Sequence, residues 1–227
     1  MLGIKIPVFS IRVFFKVINR FIFVMALADF VVVAAFGLIS PILAVYLTDQ
    51  IANGSLEVIG FGSMIFFLMT ALFKMPIAKI IDRNSAEYDD YYVTLAGYFL
   101  MSFVPFLYIF VSEPIHLYVV EGIHGLATAM AFPGWMALFT RHVDKGKEGF
   151  SWSFYATMAN IGAAIGAAAG GVVAQRVGFH FLFIMVGIFS MIGTMCLLLN
   201  RKSIITSGHV RVPVRKGVLK KTSKISK

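Results

Sequence analysis

"FIFVMALADFVVVAAFGLISPILAVYL", Phe21–Leu47, decides what kind of molecule this is. It exceeds the roughly 20 apolar residues needed to cross a hydrocarbon core of about 30 Å. Its one charged side chain is Asp29. The run has no small-residue cleavage site, so it reads as a retained span and not as a signal peptide. Working outward, five more apolar runs follow, at 57–81, 91–112, 115–140, 151–175 and 179–199. The connections are short and carry turn chemistry: Asn-Gly in "DQIANGSLE", Pro in "VSEPIH", Gly in "QRVGFH". The 227 residues are 59% hydrophobic and 14% charged, with mean hydropathy +0.86, far above the share in a soluble domain. Closed barrels, the other way to span a bilayer, require short alternating segments that this chain lacks. The fold class expected is an all-α membrane protein of six transmembrane helices.

Net charge is +9, but its location argues against nucleic acid. Lys5, Arg12, Lys16 and Arg20 precede the first span, and nine Lys/Arg follow Asn200. Basic ends flanking spans are topology determinants first, and a polybasic tail also attracts anionic lipid. With the N-terminus inside, that side also receives Lys79, Arg83, Arg141, Lys145 and Lys147, while the outer side holds Arg176 alone. This asymmetry places both termini in the cytoplasm and the protein in a plasma (inner) membrane. Residues 1–20 read as a basic arm. "VFSIRVFFKVINR", Val8–Arg20, spaces its charges either as an interfacial amphipathic helix or as a plain positive leader. Residues 200–227 read as a basic disordered tail.

Catalytic signatures are missing from the sequence: no phosphate loop, no His-Glu-x-x-His, no serine elbow, no dinucleotide fingerprint. The single Cys196 allows neither an internal disulfide nor a cysteine zinc site. No cofactor, metal or enzymatic activity is expected. Asn53-Gly54-Ser55 matches a glycosylation sequon but sits too near the membrane to carry weight. Glu87, Asp89 and Asp90 read as a solvated loop in preference to a cation site.

Charged residues inside spans are costly, about 2.5–3.5 kcal/mol each at the bilayer centre on insertion scales, so each needs a partner or a wet cavity. Here they are Asp29, Lys74 and Glu121. Asp29 lies nine residues beyond Arg20 and Lys74 eight residues before Asp82, which puts both about 12–13 Å from the inner boundary. Consecutive elements are often neighbours, so an Asp29–Lys74 contact is expected. Such a pair fixes packing or responds to protons; the third reading is Lys74 snorkelling alone. Glu121, His124 and Thr128 share one face of span four, either as a proton relay or as a carboxylate solvated near the outer headgroups. In span one Asp29 and Ser40 lie near one face with Phe36, and Pro41 kinks the helix. Span five has two faces: Ser153, Thr157 and Asn160 on one, Gly162, Gly166 and Gly170 on another. Glycines at that spacing serve internal packing or a dimer seam.

Three stretches carry a family likeness. "AKIIDRN", Ala78–Asn84, resembles the Gly-x-x-x-Asp-Arg-x-Gly-Arg-Arg motif between spans two and three of the major facilitator superfamily: Asp82 and Arg83 match, Ala78 and Ser85 replace the glycines, and the arginine pair is missing. "EGIHGLATA", Glu121–Ala129, resembles that family's span-four motif Arg-x-x-Gln-Gly-x-Gly-x-Ala, with Gly125 matching and Glu121 at the arginine. "GAAAGG", Gly166–Gly171, resembles the Gly-Pro-x-x-Gly-Gly motif of its antiporters, with Ala167 at the proline. The likeness covers roughly residues 15–200 and corresponds to one six-helix half of such a transporter. It implies a 3+3 inverted-repeat bundle and alternating access to a small solute, with Asp29, Ser40, Glu121, His124, Thr128 and Asn160 as cavity candidates and Asp82–Arg83 as a cytoplasmic gate motif. Protons are the coupling ion expected, and a parallel homodimer in membrane lipid is the expected assembly, since the family's two halves insert in the same sense. The other readings are an accessory or structural subunit that pairs with another chain, and an intramembrane enzyme. The missing proline and Glu121 weigh against an antiporter and against an organic-anion substrate; the substrate itself is not legible.

Overall fold

A computed structural model describes residue 18 and residues 20–51, 55–83 and 87–201. The basic arm and the tail expected at the two ends lie almost wholly outside the described residues. Among the described residues seven α-helices follow one another: α1 Arg20–Ile39, α2 Leu43–Gln50, α3 Leu56–Arg83, α4 Glu87–Tyr108, α5 Pro114–His142, α6 Glu148–Arg176 and α7 Phe179–Leu199. All but the short α2 are long and apolar enough to cross a bilayer.

The run that opens the chain is split. Proline at position 41 has no N–H and its ring crowds the preceding turn. Helix α1 therefore ends at Ile39, a turn passes through Ser40 and Ile42, and α2 resumes at Leu43. Pro76, Pro105 and Pro133 are tolerated inside α3, α4 and α5, as in membrane helices generally. Helix α4 spans 87–108 where the sequence suggests 91–112, so Asp89 and Asp90 lie in its first turn. Carboxylates there complement the helix dipole. Asp90, expected in a solvated loop, is fully buried and ion-paired with Arg141 at the end of α5. Gly178 (φ 103°) makes the sharp α6–α7 turn in a conformation open to glycine.

Packing follows a two-part symmetry. Helix α1 packs against α6 and α7, α5 against α3 and α4, and α4 against α7. Exchanging α1, α3, α4 with α5, α6, α7 maps this pattern onto itself. The two triplets are offset by three crossings, so they run in opposite senses: a 3+3 inverted repeat. Consecutive helices α1 and α3 are thus not close-packed neighbours. Their pairing is replaced by α1–α6 and α3–α5, each held by glycines. A Cβ on Gly166 or Gly170 would collide with the carbonyls of Ala34 or Leu38 on α1, and one on Gly125 would come to 2.5 Å of the Phe66 carbonyl on α3. Gly162 meets Phe30 at 3.0 Å in the same way. Close backbone approach through small residues is how membrane helices gain dispersion contacts when lipid removes the hydrophobic drive. Between α4 and α7 a hydroxyl cluster does similar work: Ser102 Oγ lies 3.0 Å from both Ser190 Oγ and Thr194 Oγ1.

Burial is uneven. In the most apolar 18 residues of each span, 6% is buried in α3 and 17% in α6, against 39–56% in the other four. The symmetry-related pair α3 and α6 thus flanks the bundle and leaves its surface to whatever surrounds the molecule.

Candidate functional site

Helices α1 and α5 touch only lightly. Between them lies a cavity of about 410 Å³ with α4 as its back wall. Asp29 lines it from α1 and Ser40 from the turn that follows, His124 and Thr128 from α5, Tyr98 from α4 and Tyr155 from α6. Phe36, Met101 and Phe132 make up much of the apolar wall. Four of the six residues picked as cavity candidates from the sequence are therefore together. Glu121 and Asn160 are not in the wall: Asn160 is on the exposed face of α6, and Glu121 is buried behind His124.

Asp29 is 7% exposed. Tyr98 donates its hydroxyl to Oδ1, and Tyr155 lies beside the same carboxylate. Its second oxygen, Oδ2, is buried as well. The expected Asp29–Lys74 contact is not formed. Since α1 and α3 are not packed together, Asp29 turns to α4 and α6. The Lys74 ammonium sits 4.3 Å from the centre of the Phe132 ring on α5, a cation–π contact. Lys74 and Asp82 share a second, smaller cavity of about 370 Å³ between α3 and α5.

Glu121 is 8% exposed. Its Oε1 accepts a 2.8 Å hydrogen bond from Tyr108, the last residue of α4. Its Oε2 lies 3.9 Å from His124 Nδ1. The His124 ring is held between Phe36 (centroids 5.4 Å apart, 18° between planes) and Phe66 (4.7 Å). Thr128 turns its hydroxyl to the His124 carbonyl at 2.9 Å. Glu121 is therefore not solvated near the headgroups; it is one step removed from the cavity, through an imidazole. Asp82 and Arg83 are exposed at the end of α3.

Sequence reasoning missed the tyrosines. Tyr98, Tyr108 and Tyr155 complete both carboxylate sites, and a tyrosine in an apolar span is a signal of an interior polar partner. Which partner each one reaches depends on helix neighbours that spacing alone does not give.

The comparisons fit this geometry. The family model for the Major Facilitator Superfamily matches residues 25–224. Among relatives, the chain is 24% identical over 147 residues to the proton-coupled antiporter flippase LtaA of Staphylococcus haemolyticus, covering 63% of this chain and 35% of that protein. It is 25% identical over 157 residues to the multi-drug resistance efflux pump PmrA of Streptococcus pneumoniae, covering 69% of this chain and 39% of that protein. The chain thus spans little more than a third of the length of these relatives. Six membrane-crossing helices in an inverted repeat, a cavity between the first helix of each triplet, and a family match over most of the chain agree: this is a multi-pass integral membrane protein that belongs to the Major Facilitator Superfamily.

Proposed function

We propose that this six-helix unit is one half of a secondary-active, alternating-access transporter for a small solute, and that a second copy of the chain supplies the other half. The observation that carries the reading is the cavity that holds Asp29 between α1 and α5. Its flanking helices, α3 and α6, are the least buried in the molecule. Two halves related by an axis along the membrane normal enclose such a cavity near the midplane. Two copies inserted in the same sense have that relation, and twofold dimers are the commonest homo-oligomer. In this reading both termini lie in the cytoplasm, which the basic-residue asymmetry supports, and the membrane is the plasma (inner) membrane. Protons are the coupling ion in this reading. Buried carboxylates in spans mark proton relays, and one of the relatives is a proton-coupled antiporter.

The gate motif acquires a target in this arrangement. Asp82, exposed at the inner end of α3, meets the positive N-terminal end of the partner's α6, a contact worth about 0.3–1 kcal/mol. Ser151 is buried in its own unit, whereas Gly149 has open space where a Cβ would sit, so Gly149 is the position that faces outward.

Mass measurement in native lipid tests the assembly: two copies are expected. A single chain, or a pair with a different protein, overturns the homodimer, and the latter outcome makes the chain an accessory half. Asp82→Cys with Gly149→Cys in a Cys196→Ala background is expected to cross-link between protomers. Transport is tested in proteoliposomes under an imposed pH gradient with ethidium as the probe, a choice prompted by the multi-drug relative.

A further inference from the structure

The α4–α7 side of the bundle, away from the cavity mouth, carries an apolar groove of about 360 Å³. Leu95, Ala96 and Phe99 wall it from α4, Met191, Met195 and Leu198 from α7, and Tyr92 stands at its end. Its polar member, Thr194, is turned inward to Ser102 and to the Ser190 carbonyl. From Tyr92 to Phe99 the groove runs about 10 Å along the helix axis, starting at the membrane boundary. Phe99, Met195 and Leu198 are 42–55% exposed along it. At the boundary end stands Arg201. Its guanidinium carbon is 5.3 Å from the Tyr92 ring centre and 5.8 Å from that of Tyr88, and Nη2 donates to the Tyr88 hydroxyl at 3.0 Å. Among the described residues Arg201 forms no ion pair with a carboxylate. The 26 residues beyond it hold eight more Lys/Arg and no Asp or Glu.

We propose that this groove is a lipid site: one acyl chain of an anionic glycerophospholipid lies along it, and the phosphate meets Arg201. The groove is apolar and open along its outer side, which suits a hydrocarbon chain. A planar guanidinium matches phosphate oxygens in bidentate fashion. The stacking rings of Tyr88 and Tyr92 fix the guanidinium over the groove's mouth and leave donors free for the headgroup. A fixed cation at the headgroup position favours a net-negative headgroup over a zwitterionic one. The site is independent of the cavity and of the homodimer.

Mass spectra of the protein released from mild detergent with equal amounts of palmitoyl-oleoyl phosphatidylglycerol and phosphatidylcholine test this. Wild type is expected to retain phosphatidylglycerol in preference. Arg201→Gln is expected to lower that retention by about fivefold, the worth of one cation near an anionic surface. Tyr88→Phe, which keeps the charge, is expected to retain it. Ala96→Trp, which fills the groove, is expected to shed both lipids, and Met195→Trp does the same from the opposite wall should Ala96→Trp fail to fold. Equal retention of the two lipids by wild type, or unchanged phosphatidylglycerol in Arg201→Gln, overturns the proposal. So does a second protein chain that travels with wild type and is lost in Ala96→Trp, which would assign the groove to a protein partner.

Discussion

Asp29 and Glu121 are built on the same plan and placed differently. Each is a buried carboxylate on the first helix of its triplet, and each accepts a hydroxyl from α4: Tyr98 for Asp29, Tyr108 for Glu121. Ten residues separate those tyrosines, about 15 Å along the helix, so the two sites lie at different depths. Asp29 is itself in the cavity wall, with Tyr98 and Tyr155 beside its carboxylate. Glu121 stands behind the wall, and His124 faces the cavity in its place. An inverted repeat carries a carboxylate to each side of the membrane; what differs is whether the carboxylate or an imidazole faces the cavity. Asp29 is thus the candidate for direct coupling, and Glu121 for positioning His124.

The sharpest way to break that contrast is Asp29→Asn. The amide keeps an acceptor for Tyr98 and loses the proton site. Ethidium transport driven by a pH gradient is expected to fall to the level of empty liposomes, while thermal unfolding in detergent shifts little. Glu121→Gln is expected to leave measurable transport with an altered pH profile. If Glu121→Gln silences transport and Asp29→Asn does not, the assignment of roles is reversed.

Next in size is the effect of the tyrosines on stability. Tyr98→Phe removes the donor to Asp29 Oδ1 in a buried site, which costs about 1–3 kcal/mol. Tyr108→Phe is expected to cost a similar amount, because each carboxylate keeps one neighbour: Tyr155 for Asp29 and His124, at 3.9 Å, for Glu121. Thermal unfolding of the two variants side by side measures the difference. A larger loss in Tyr108→Phe would mean that Glu121 is the less well supported carboxylate.

A double-mutant cycle isolates the positioning role. Glu121→Gln and His124→Gln, measured singly and together, are expected to be non-additive by about 0.5–3 kcal/mol, as residues in one network are. The same cycle between Asp29→Asn and His124→Gln is expected to be near additive in stability. Coupling in transport but not in stability would show that the two meet through the solute.

Much of this architecture was legible in the sequence because one number, the length of an apolar run, identifies a span. The six runs, the glycine spacing on α6 and the four cavity-facing residues Asp29, Ser40, His124 and Thr128 all follow from period and position along single helices. What was not legible is which helix packs on which. The Asp29–Lys74 expectation assumed that consecutive spans are neighbours, and the α1–α6 and α3–α5 pairings replace that contact. Asp90 was taken for a loop residue because three acids within four residues resemble a solvated turn; an arginine 51 positions away makes it the buried end of an ion pair. Tyr98, Tyr108 and Tyr155 stayed hidden for the same reason, since a hydroxyl's partner is a property of the assembled bundle.

Lys74 gives the smallest expected effect and closes the comparison. If it were the counter-ion of Asp29, Lys74→Met would strand a buried carboxylate and cost several kcal/mol, as breaking a buried pair does. Placed over Phe132 it forfeits a cation–π contact, about 0.5–1 kcal/mol at a partly exposed site, and recovers part of that from the apolar methionine stem. Lys74→Met is therefore expected to melt within a few degrees of wild type and to keep pH-driven transport. Phe132→Leu removes the ring from the other side and is expected to change stability by a similar small amount, with no further loss when the two are combined. A collapse of transport in Lys74→Met that Phe132→Leu does not share would restore the lysine to the Asp29 site, in a conformation in which α3 swings toward α1.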